Sequence, residues 1–82
     1  MELKDTVKMM QSEDHRERFK AEYYQLNIRC RKLKDMLEKW YNEELGFIPA
    51  CNNRLLEFQL RSMEDYLTAL ETRAQIEHIE LW

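Results

Sequence analysis

Apolar side chains recur at alternating steps of four and three along most of this 82-residue chain. Phe19, Tyr23, Leu26, Cys30, Leu33, Leu37 and Trp40 follow steps of 4, 3, 4, 3, 4 and 3, and Leu56, Leu60, Met63, Leu67, Leu70 and Ala74 follow 4, 3, 4, 3 and 4. An α-helix turns once every ~3.6 residues, so each series forms one apolar seam, suited to packing at a shallow angle. The spacing predicts a first helix from about Glu13 to about Leu45 and a second from about Asn53 to about Ile79. Each would be roughly 40–50 Å long at ~1.5 Å per residue.

The interruption between them is equally legible. The chain's one Gly and one Pro sit together in Leu45-Gly46-Phe47-Ile48-Pro49-Ala50-Cys51. Gly46 suits the left-handed position that closes a helix, Phe47 would fold back on the last turn, and Pro49 delays the next helix. Asn52 or Asn53 suits the following N-cap, and Ser12 the N-cap of the first helix. A loop over 46–52 is too short for anything but an antiparallel return. In that register Trp40 faces Leu56, Leu33 faces Met63 and Tyr23 faces Ala74. Residues 1–12 form a separate short amphipathic segment with Leu3, Val7 and Met10 on one face, and 13–82 the helical hairpin.

Two helices shield one another on one side only. Tyr24, Ile28, Phe58, Tyr66, Ala69 and Ile76 lie off the seams, with Leu81 and Trp82 beyond them. A second apolar stripe asks for a second partner. The expected fold class is therefore all-α: a long antiparallel hairpin with a short N-terminal helix, assembling into a homo-oligomeric helical bundle.

Composition narrows the function. Thirteen Lys+Arg against sixteen Asp+Glu give a formal charge of -3, which lacks the basic field that duplex nucleic acid requires. No run approaches the ~20 apolar residues of a membrane span, and the first dozen residues hold no signal-peptide core. Two cysteines, Cys30 and Cys51, have neither metal-ligand spacing nor the density of a disulfide scaffold, and read as reduced cytosolic thiols. Cys30 is a small seam residue; Cys51 lies near a helix start with no histidine close in sequence to activate it. A metal site would need His15 or His78 to recruit Glu77 or Asp14, and exposed helix histidines are the simpler reading. A single Gly excludes a Gly-rich phosphate loop. No catalytic residue, metal or cofactor is expected, and no enzyme. The basic run Arg29-Cys30-Arg31-Lys32-Leu33-Lys34 faces acids that include Glu64, Asp65 and Glu71, so interhelical pairing is expected there.

From Phe19 onward the chain resembles a family of small bacteriophage proteins first noticed in crAss-like phages. The resemblance runs through Arg29, Lys32-Leu33, Leu37 and Trp40, then Phe47, Pro49 and Cys51. It continues through Leu55-Leu56, Gln59-Leu60, Met63, Tyr66-Leu67, Leu70 and Arg73-Ala74. It implies a phage protein acting in the host bacterial cytoplasm. By analogy with phage sponges against Thoeris and related systems, it would sequester a nucleotide immune signal, ADP-ribose-type or cyclic, without turnover. Such proteins use arginine for phosphate and aromatic rings for the base, a part that Tyr23, Tyr24, Arg29, Gln59, Tyr66 and Arg73 could fill. Arg73 is expected beside Tyr23 and Tyr24, with Gln59 reaching the site only from a second protomer. The alternatives are an interaction module that blocks a host defence protein, and a virion structural or assembly helper.

Overall fold

Seam packing does produce a hairpin. The structure, a computed structural model, describes residues 1–81, so Trp82 and its apolar role lie outside it. A 3-10 turn, Leu3–Thr6, leads into α1, Val7–Met10, followed by α2, His15–Tyr41, and α3, Asn53–Glu77. Among the described residues there is no strand. The long helices pack on each other, and the N-terminal turn and α1 pack on α2. The result is elongated, 43 × 24 × 19 Å, with a radius of gyration of 15.0 Å. A compact chain of this length would have about 12 Å.

The helix ends show where local chemistry overrode the sequence expectation. α2 starts two residues after Glu13, because Asp14 is its N-cap: its carboxylate accepts from the Arg16 amide at 2.9 Å. Ser12 acts one step earlier, accepting from the Asp14 amide at 3.1 Å. α2 stops at Tyr41, not Leu45, and Gly46 does not close it. Glu43 takes the left-handed conformation instead, with φ 59°. The Glu44 amide then reaches back to the Lys39 carbonyl at 2.8 Å and the Glu43 amide to that of Trp40 at 3.1 Å. This is the Schellman closure, completed by a glutamate. Gly46 has no positive φ and no atom near where a Cβ would sit.

A left-handed L-residue carries steric strain of roughly 1–2 kcal/mol that glycine avoids, partly offset by glycine's greater chain entropy. Glu43→Gly is therefore expected to raise the urea midpoint slightly, while Gly46→Ala should leave it unchanged or higher.

α3 matches its expected start, with the Asn52 side chain accepting from the Leu55 amide at 2.8 Å. It ends at Glu77, two residues short of Ile79, at His78 with φ 56°. The Ile79 amide bonds the Ala74 carbonyl at 2.9 Å, and both side chains enter the core.

The earlier end of α2 lengthens the connector to 42–52 and shifts the hairpin register by about one turn. His15 lies against Glu77, Phe19 against Arg73 and Tyr23 against Glu71. The expected facing of Tyr23 with Ala74 therefore moves one turn toward the connector.

Burial is uneven along the seam. Phe19, Tyr23, Leu70, Ala74 and Ile79 form the core cluster, with Tyr24, Leu26, Leu67 and Leu81 packed on it. Cys30 and Leu37 are buried further along, whereas Leu33, Leu56, Leu60 and Met63 are only half-buried. The open end of the hairpin is the better covered, because the tail after α3 returns over it. The Tyr24 hydroxyl donates to the Leu81 carbonyl, and Arg16 Nη1 donates to the His78 carbonyl at 3.4 Å.

In the N-terminal segment the buried residue is Thr6, not Val7 or Met10, which are exposed. The Thr6 hydroxyl donates to the Leu3 carbonyl at 2.7 Å and accepts from Gln25 Nε2 at 2.8 Å, so a satisfied polar group anchors the segment to α2.

Both cysteines are free thiols, Cys30 buried and Cys51 exposed. Burial pushes the Cys30 thiol up, with the Glu64 carboxylate adding to it and Lys34 opposing. The thiolate is the reactive form. Native protein at pH 8 should therefore take up one equivalent of iodoacetamide quickly, at Cys51, and the second only in denaturant.

Candidate functional site

The sequence-derived residues divide between two edges of the hairpin. Tyr23 is buried, donates to Glu71 Oε1 at 3.3 Å, and stands edge-on to Tyr24 with ring centroids 6.1 Å apart. Burial, with the Glu17 carboxylate adding, raises the Tyr24 hydroxyl above the ordinary tyrosine range, consistent with its role as donor to Leu81. The depression beside Tyr23 is walled by Glu71, Glu80, Gln75, Ile79 and Leu81. Among the described residues its lining has carboxylates and no cation, an unsuitable field for phosphate. These tyrosines hold the fold together.

Arg73 and Tyr66 lie on the other edge. Gln59, Tyr66 and Arg73 follow one another at intervals of seven and so share one line along α3. The Tyr66 hydroxyl donates to the Glu22 carboxylate across the hairpin. The Arg73 guanidinium stacks over the Phe19 ring, 4.8 Å from its centroid. Its Nε donates to Glu77 Oε2 at 3.3 Å, and Glu77 Oε1 lies 3.0 Å from His15 Nε2. The expected proximity of Arg73 to Tyr23 gives way to Phe19 because of the register shift. Arg29 and Gln59 are exposed further along the molecule.

A groove of about 420 Å³ opens here, lined by Met10, His15, Arg18, Phe19, Glu22 and Arg73. It combines two arginines and polar groups with the exposed Met10 side chain, while Phe19 lies buried beneath Arg73. Arg18 donates through Nη1 to the Ser12 carbonyl at 2.8 Å, which fixes its side chain, and among the described residues it forms no ion pair with a carboxylate. Among the described residues the ion pairs are Lys4–Glu2, His15–Glu77 and Arg73–Glu77. The basic run from Arg29 to Lys34 takes part in none of them, contrary to the expected interhelical pairing. A larger concavity, about 630 Å³, lies at the hairpin tip among Trp40, Tyr41, Phe47, Ile48 and the two asparagines, and its lining includes no cation.

Sequence reasoning missed His15, Arg18, Phe19 and Glu22 as a group. Their spacing at 15, 18, 19 and 22 is an i, i+3, i+4, i+7 face that carried the signal, but Phe19 was absorbed into the seam.

A family model described as Sequestin matches residues 13–76. The chain belongs to the Sequestin family. No curated protein and no solved structure matches it. The Sequestin match takes in α2 from its cap, the connector and α3 to its last turn, and so includes His15, Arg18, Phe19, Glu22, Tyr66 and Arg73. It leaves out the N-terminal segment and Glu77. The family name describes holding a ligand, which is binding in place of turnover.

The Glu77 cluster has a pH signature. Hydrogen bonding from His15 is the main cause that holds the Glu77 carboxyl below the ordinary glutamate range; desolvation opposes it, and the Arg73 hydrogen bond and charge add to the lowering. A carboxyl depressed by folding stabilises the fold above the usual glutamate pKa, ~4.3, and that contribution is lost as pH falls through and below it. Thermal melts should show Glu77→Gln destabilised near pH 7 and converging on wild type near pH 3.

Proposed function

We propose that this Sequestin-family chain is a phage anti-defence protein that binds and withholds a nucleotide-derived immune signal, ADP-ribose-type or cyclic, in the cytoplasm of the infected bacterium. Stoichiometric capture without turnover is the mechanism. Membership of the Sequestin family over both long helices carries this reading. The groove chemistry agrees with it. A phosphate suits Arg18 and Arg73, because guanidinium offers bidentate charge-assisted hydrogen bonds. Tyr66, 46% exposed, offers a ring for a base, and Glu22 an acceptor for ribose hydroxyls or an exocyclic amine. On binding, the ligand phosphate replaces Glu77 as the acceptor for Arg73. The protein acts as a homo-oligomer, since one hairpin leaves Phe58, Leu55 and Ile76 in water.

The test is to incubate the pure protein with extract from cells whose TIR or cyclic-nucleotide defence is active, wash and denature it, then identify released small molecules by mass spectrometry. A nucleotide recovered near one per site, unaltered after prolonged incubation, is the expected result. Calorimetry with ADP-ribose derivatives and cyclic dinucleotides gives the affinity. No nucleotide released and no heat with any of them overturns the reading.

A further inference from the structure

The outer face of α3 has a spacing that reads the same in both directions. Leu55, Phe58, Ser62, Ala69, Arg73 and Ile76 lie on one stripe and are symmetric about the midpoint between Asp65 and Tyr66. Leu55 mirrors Ile76, Phe58 mirrors Arg73, and Ser62 mirrors Ala69. An antiparallel copy placed over this stripe by a two-fold axis therefore sets each residue against its mirror. Leucine meets isoleucine, a small residue meets a small residue and lets the backbones approach, and phenylalanine meets arginine.

The face is open in the isolated chain. Leu55, Phe58, Tyr66 and Ile76 are 53%, 70%, 46% and 72% exposed. The N-terminal segment packs on α2, so among the described residues α2 is the one helix that packs on α3. The total accessible surface, 6340 Å², exceeds by roughly 1,000 Å² the ~5,300 Å² of a compact monomer of this mass. A standard interface buries ~800 Å² per partner, so the excess is the size of one such face.

We infer that the chain is a two-fold dimer through α3, centred between Asp65 and Tyr66, and that Phe58 of the second copy closes the groove at Arg73. Arg73 belongs to both surfaces: one face of its guanidinium lies on Phe19, and its mirror partner in the stripe is Phe58. The second copy thus supplies the ring missing from the open side of the groove, and each dimer holds two equivalent sites. That closing role rests on the nucleotide reading above; the interface does not.

Light scattering at tens of micromolar should give twice the 10.2 kDa chain mass. Ala69→Arg should halve it with the helical circular dichroism retained. Symmetry is read by disulfide trapping in a Cys51→Ser background, where Asp65→Cys, beside the axis, should link to itself. Leu55→Cys should not, but should link to Ile76→Cys when the two proteins are mixed. A monomeric wild type, an Ala69→Arg dimer, or self-linking of Leu55→Cys in place of Asp65→Cys overturns the inference. A wild type that dimerises and traps as described but binds no nucleotide sinks the sequestering function and leaves this interface standing.

Discussion

Leu70→Ala is expected to cost about 2–5 kcal/mol, the largest loss of any single leucine in the chain. Leu70 is 1% exposed and sits among Phe19, Tyr23, Ala74 and Ile79, where both long helices and the returning tail converge. Removing its branched end forfeits the transfer energy and leaves a cavity that helices held from three sides cannot close. A domain of this length has a total stability of roughly 4–12 kcal/mol, so the variant should be close to unfolded at physiological temperature. Leu33→Ala and Leu67→Ala remove the same atoms from half-buried sites and should cost clearly less. Lys34→Ala and Glu57→Ala, on exposed faces, should stay within ~0.5 kcal/mol. Urea melts followed by circular dichroism order the five variants, and a Leu70→Ala loss no greater than that of Leu67→Ala would move the core elsewhere.

The difference between Leu70 and Leu33 marks the limit of a seam argument. The four–three spacing carried the helices, their antiparallel return and the cap at Asn52, because each follows from local periodicity or one side-chain bond. It treats every seam position alike, however, and burial depends on what else covers the seam. Only the open end gains a third and fourth layer, from residues before α2 and after α3, and nothing in the seam encodes that. The connector was misjudged for another reason. Glycine is the usual left-handed residue, yet Glu43 fills that role with two backbone hydrogen bonds as compensation. Ending α2 one turn early was enough to move Arg73 from the tyrosines to Phe19. One turn of register decided which of the aromatic and cationic side chains meet. Tyr23 shows the consequence. Its buried position makes Tyr23→Ala a stability variant, so any effect on binding would come through unfolding.

Arg73→Ala is expected to weaken nucleotide binding at least tenfold, ~1.4 kcal/mol, with little loss of fold stability. The guanidinium is half exposed, stacks on Phe19 and shares Glu77 with His15, so its removal leaves no unpaired buried group. Exposed pairs of this kind contribute ~0–1 kcal/mol to folding. Under the proposed function its value to a bound phosphate is expected to be larger, because the ring beneath holds the fork in place and excludes water from one side. Arg73→Lys separates charge from geometry. A lysine keeps the cation but loses the planar stack and the bidentate fork, so it should recover only a small part of the affinity. Arg18→Ala should weaken binding through the second cation without disturbing Phe19. Calorimetry on the three variants, alongside melts showing them folded, reads the result directly. Wild-type affinity in Arg73→Ala would reduce the residue to a surface ion pair with Glu77, and the phosphate would have to sit elsewhere on the hairpin.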